Sequence, residues 1–167
     1  MSFVNKLFHK SEKEYSMSPV EVVNMLLSNP LDIENVRSTT TPDVLYVSLN
    51  KNNPDLTRIL PWAGEHRGPE EIVKAFQGIY TMWDALGFEV KTAFGQGEDV
   101  AVFGEFTYRS KAVGKTAPSP FGMHIKLVRG KICYVLFLED TFGTTSSIHS
   151  GGEAVYTSLN GEVRVSA

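Results

Sequence analysis

Apolar residues recur at helical spacing through Ile72, Val73, Phe76, Ile79, Tyr80, Trp83 and Leu86, and this stripe predicts a helix over 69–86. Gly68 suits its N-cap, Pro69 its first position and Glu70 and Glu71 the positive end of its dipole, while Gly87 ends it. Upstream, Ser18-Pro19-Val20-Glu21 has the spacing of a capping box, with Val23, Leu26 and Leu27 as the apolar stripe and Asn29-Pro30 as the stop. Asp32 caps a shorter helical turn through Arg37. Phe3, Val4, Leu7 and Phe8 have helical spacing too, ahead of a charged stretch that can fray.

After Thr41-Pro42 the period changes to that of extended chain. Residues 44–49 are β-branched and aromatic and predict a strand; residues 50–60 predict a long polar loop, and the Trp62 segment continues it, with Trp62 either an exposed lip or the closure of one end of the core. Strands are expected over Phe88–Gly95, 99–111, Phe121–Val128 and Lys131–Asp140, with turns at Gly97-Glu98 and Arg129-Gly130 and a ragged loop at Gly114–Pro120. Helices followed by a run of antiparallel strands give an α+β layout with a sheet covered on one face. The tail patterns as a hairpin around Asn160-Gly161, behind a Ser/Gly-rich joint at 146–152. An isolated hairpin is marginal in water, so this one is expected to dock on the chain's own sheet edge or on a second subunit. The expected division is an extension at 1–17, a domain at 18–145 and a second extension at 146–167.

Composition narrows the function. Net charge is −3 with no basic run, which disfavours nucleic acid. The single cysteine, Cys133, permits no internal disulfide and sits in an apolar strand pattern that suits an inert core residue. No stretch reaches the ~18 apolar residues of a membrane span and no secretory h-region is present, so a cytoplasmic protein is expected. His9, His66, His124 and His149 are far apart, so no metal site is expected, and His66 reads as solvent-exposed loop.

Pro61-Trp62-Ala63-Gly64 with Gly68 and Ile72/Phe76, then Arg129-Gly130-Lys131-Ile132 leading to Asp140-Thr141, resemble the SnoaL-like branch of the nuclear-transport-factor-two-like superfamily, which also holds the ketosteroid isomerases. The resemblance covers about 18–142. It implies a cone-shaped, curved antiparallel sheet wrapped around a cavity and closed by helices, commonly dimeric. It leaves chemistry open, because the fold hosts isomerases, cyclases, dehydratases and binders.

A tight Arg129-Gly130 turn sets a register in which Val128 pairs with Lys131 and His124 with Val135. Phe121, Met123, Ile125, Leu127, Ile132, Tyr134, Leu136, Leu138 and Asp140 then share the concave face, leaving Asp140 as an acid at the end of an apolar wall. The resemblance implies an acid/base role for Asp140 with help from His124, although this register puts His124 on the opposite face. The alternative for Asp140 is a cap on the backbone of Thr141–Thr144. The position of the ketosteroid-isomerase base falls near Ser48, where no acid stands, which argues against steroid isomerisation. Tyr46, Trp62, Tyr80, Trp83, Tyr108, Met123 and Tyr134 are the candidate cavity wall. The leading reading is a hydrophobic small molecule bound in the cone without a cofactor. A cofactor-free acid/base enzyme and a dimeric interaction domain stand beside it.

Overall fold

The computed structural model describes residues 17–166, so the expected helix at Phe3–Phe8 lies outside the described residues. Helix α1 (Pro19–Ser28) begins with the capping box read from its sequence: Glu21 N–H donates to Ser18 Oγ (3.3 Å) and Ser18 N–H donates to the Glu21 carboxylate (2.7 Å). Asp32 caps α2 (Ile33–Thr39) by accepting from Glu34 N–H at 3.0 Å. Strand β1 (Thr40–Ser48) follows directly.

Two elements stand where a loop was expected. Asn53 and Pro54 open α3 (Pro54–Ile59), the Asn53 side chain accepting from Leu56 N–H at 3.0 Å, and β2 (Gly64–Arg67) pairs antiparallel with β1. Helix α4 (Pro69–Met82) starts at Pro69 as its sequence predicts but ends four residues before Leu86. Trp83 opens β3 (Trp83–Gln96), because residues 83–85 find ladder partners at Ser110, Arg109 and Tyr108 of β4 (Asp99–Ser110). Tertiary pairing overrides a helical spacing that the strand also satisfies.

Strand β5 (Thr116–Val128) takes in the stretch expected to be a loop. Its Pro118 and Pro120 lie beyond the end of β6 (Lys131–Glu139), which reaches only to Phe121, so their missing N–H groups need not cost a ladder bond. The six strands run in the order β2-β1-β6-β5-β4-β3. The β1–β6 pair is parallel, so the sheet is mixed rather than wholly antiparallel. Gly104 lets it bend: a Cβ there would overlap the Glu89 carbonyl oxygen and the Phe121 ring.

The register from the β5–β6 turn holds for two pairs and then slips. Arg129 and Gly130 both have positive φ (49° and 76°), and Val128 pairs with Lys131 and Leu127 with Ile132. Lys126 then pairs with Tyr134, which leaves Cys133 as the extra residue of a bulge. Beyond it, Val135, Phe137 and Glu139 take the inner face expected for Tyr134, Leu136, Leu138 and Asp140. Helices α1, α2 and α4 cover the concave side, and the core runs from Val23 and Val36 through Ile72 and Trp83 to Phe106, Ile125 and Ile132. After β6 come α5 (Thr141–Ser146) and a separate two-stranded sheet, β7 (Glu153–Ser158) and β8 (Gly161–Ser166). Ser158 pairs with Gly161, so the turn residues are Leu159 and Asn160. Among the described residues no helix is long and apolar enough to cross a membrane.

Candidate functional site

The inner face of the sheet meets α5 and the end of α4 at one wall. The strand ends contribute Glu139 from β6, Tyr46 and Ser48 from β1, and Tyr108 from β4. Trp83 stands at the start of β3, 1% exposed, and its indole N–H donates to Ser147 Oγ at 2.8 Å. That hydroxyl in turn donates to the Thr144 carbonyl at 2.6 Å, so the segment after α5 is fastened to the core by a buried polar chain.

Glu139 is the ionisable group at this wall. Burial pushes its carboxyl up to about 7, the Thr144 hydroxyl pulls the other way, and the neighbouring Asp140 charge adds to the rise. Tyr46 is held well above the usual phenol range, first by burial, with the Ser48 side chain opposing and the Glu139 charge adding. Tyr108 is raised for the same first reason, and then by Tyr80, Glu139 and Tyr46. Two buried phenols, Tyr46 and Tyr108, thus lie within electrostatic reach of a half-buried carboxyl poised near neutrality, an arrangement whose chemistry can support proton transfer.

Asp140 does the other job. Its side chain accepts from Gly143 N–H at 3.0 Å as the N-cap of α5, while its own N–H donates to Ser119 Oγ at 3.0 Å. His124 lies on the outer face, as its alternation from Met123 required, and its Nε2 stands 2.6 Å from Asp99 Oδ1. Its partner on β6 is Leu136, one residue on from the expected Val135. Tyr134 is also outside, its ring 5.9 Å from His124 at 69°, and so leaves the expected cavity wall.

The other expected wall residues are inside. Of the two places open to Trp62 the core is the one it takes: it is buried, packed edge-on to Trp83 (5.5 Å, 79°), with Gly78 making room for its ring. Tyr108 stacks on Phe106 (4.2 Å, 27°) and Tyr46 on Phe76 (6.4 Å, 23°), and Tyr80 is half-buried on α4. Met123 lines a cavity of about 10 Å³ with Leu26, Leu27, Tyr46, Ile72, Phe76 and Val135. That is the lower limit for one water. The cone is filled by its own side chains.

His66 is half-buried and not an exposed loop residue: it pairs across β1–β2 with Tyr46, and its Nε2 donates to the Trp62 carbonyl at 2.6 Å. No sequence signal marked Glu139, because the bulge that turns it inward falls in an unbroken apolar run. Among the described residues, no group of three His, Cys, Asp or Glu side chains could hold a metal ion.

The SnoaL-like domain family matches this chain over residues 28–135. This chain belongs to the SnoaL-like family. Patulin synthesis protein F of Aspergillus clavatus is 35% identical over 141 residues, covering 81% of this chain and 71% of that protein. An NTF2-like protein from Burkholderia thailandensis superposes with a TM-score of 0.70 at 18% identity, over 80% of this chain and 99% of its own. TerC, crystallised with polyporic acid, superposes with a TM-score of 0.67 at 24% identity, over 80% of this chain and all of its own. At such identities the two structures show the fold alone, and the fold is the nuclear-transport-factor-two-like cone implied by the SnoaL-like resemblance. Glu139, α5 and the terminal hairpin all lie past the last residue matched to the family.

Proposed function

We propose that this SnoaL-like chain is an acid/base enzyme acting on an enolisable small molecule, with Glu139 moving the proton and Tyr46 and Tyr108 donating hydrogen bonds to the oxygen on which charge develops. The observation that carries the reading is the Glu139 carboxyl, lifted to about 7 on the inner face. A side chain kept there only for packing would be better apolar, since burying an ionisable group costs stability. The relative named for patulin synthesis supports a biosynthetic setting, and the relative crystallised with polyporic acid supports small-molecule binding by this fold. With about 10 Å³ free in the cone, a substrate enters only by displacing side chains or α5.

The test uses 2-tetralone, a flat enolisable ketone, as probe. Wild-type protein should speed deuterium uptake from D₂O at the carbon beside its carbonyl, and Glu139→Gln should lose about 100-fold or more of that acceleration. A rate equal to buffer alone, or an undiminished rate in the variant, overturns the reading. Pairing of two copies through the outer face is supported by Phe94 and Phe103, stacked at 6.3 Å and half exposed beside an exposed Leu138. Light scattering that gives one chain per particle would remove it.

A further inference from the structure

A second cavity lies outside the cone. A cleft of about 640 Å³ opens between α5 and the terminal hairpin, floored by Ile59 of α3. That volume is within the range of small-molecule sites, roughly 300–1,000 Å³. Its apolar walls are incomplete: Phe142, Ile59 and Tyr156 are 54%, 47% and 47% exposed, large side chains left half open around one space. Phe142 and Tyr156 meet at 6.4 Å and 67°, an aromatic corner that offers a flat ring one face and one edge.

Lys115 gives the cleft its charge preference. It is the single Lys, Arg, Asp or Glu among the described residues that line it. It is half-buried, its ammonium donates to the His149 carbonyl at 3.1 Å, and no carboxylate of the described residues lies within ion-pair distance. By contrast, Lys51, Lys74, Lys91, Lys111 and Lys126 each face a carboxylate. A partly desolvated ammonium with donors to spare is stabilised by an anion, and the hydroxyls of Thr145 and Ser146 line the same space. Thr145 Oγ1 already donates to the Thr141 carbonyl at 2.8 Å, so the hydrogen bonds offered to an anion come from Lys115.

We infer that this cleft binds a compact aromatic monoanion, its ring in the Phe142–Tyr156 corner and its charged group on Lys115. The site shares α5 with the Glu139 wall but does not depend on the role given to Glu139. A ligand there touches both the hairpin and the body, so binding orders the hairpin.

The probes are 2-naphthoate and its neutral analogue 2-naphthamide, titrated into the full chain by calorimetry and by amide NMR. Naphthoate should bind below about 1 mM and about tenfold more tightly than the amide. Its shift changes should centre on residues 142–149 and 154–166. Lys115→Met should abolish the preference for the anion, Lys115→Arg should keep it, and Tyr156→Ala should weaken both probes about fivefold. Unfolding midpoints of the variants matching wild type show that the fold is intact. Equal affinity for the two probes, a preference that survives Lys115→Met, or shift changes centred on Met123 and Val135 in the cone overturns the inference. Deuterium exchange on 2-tetralone reads Glu139 alone, so either proposal can fail without the other.

Discussion

The cone and the terminal hairpin treat apolar side chains in opposite ways. In the cone, rings from α4, β3, β4, β5 and β6 close on one another until about 10 Å³ is left, and a carboxyl at their edge is driven towards neutrality. In the hairpin, Val155, Tyr156, Leu159 and Val163 all stand exposed on a ladder that only two strands share, and about 640 Å³ stays open at its base. A filled interior provides the low-dielectric wall that tunes an acid and leaves little room for a ligand. An open cleft provides room but no such tuning wall. In this molecule the tuned chemistry and the available volume lie on opposite sides of one short helix, α5.

The contrast breaks most strongly at Gly104. Alanine there drives a Cβ into backbone as well as the Phe121 ring, so neither can swing aside cheaply. Gly104→Ala should cost about 3 kcal/mol in urea unfolding, and a cost under about 0.5 kcal/mol would show that the cone is looser than its packing implies.

Glu139→Gln comes next, and its sign depends on pH. The folded chain holds the Glu139 proton more tightly than the unfolded chain, where the carboxyl titrates at its ordinary 4.5. The folded state therefore keeps its full stability below 4.5 and loses this contribution as pH rises through about 7. Glutamine cannot ionise, so the variant should match wild type at pH 4 and exceed it at pH 8 by about 3 kcal/mol. A difference independent of pH would mean that the carboxyl is not in the wall.

The neighbouring acid gives a smaller effect. Asp140→Ala removes the cap on Gly143 N–H and should cost about 1 kcal/mol in urea unfolding at neutral pH.

Those two acids also mark where the sequence stops being legible. The capping box at Ser18–Glu21 and the start of α4 at Gly68-Pro69 were readable because every group involved lies within four residues. The resemblance carried the cone itself, and the alternation along β5 placed Met123 inside and His124 outside. Along β6, Ile132 to Leu138 is apolar or aromatic at every position, so both faces look like core and alternation carries no information. A single extra residue at Cys133 then decided whether Asp140 or Glu139 faces the wall. Trp83 failed for a related reason: it continues the α4 stripe, and only the distant β4 shows that it belongs to a strand. Asn53-Pro54 was different, since an N-cap followed by Pro was a local signal for α3 that the polar composition masked.

The smallest effect tests the hairpin. Its cross-strand pairs run from Glu153–Ser166 to Ser158–Gly161, and the exposed Val163 faces Tyr156 on a ladder no third strand covers. A ladder with one partner per strand and little buried apolar surface opens without unfolding the body. Val163→Thr should therefore leave the global unfolding free energy within about 0.5 kcal/mol of wild type. Amides of β7 and β8 should also exchange with solvent far faster than those of β4 and β5 in the same sample. If the hairpin amides instead exchange as slowly as the core and Val163→Thr lowers the midpoint, the hairpin belongs to the same cooperative unit as the cone. The open cleft would then be a rigid groove, and ligand binding there could not act by ordering the arm.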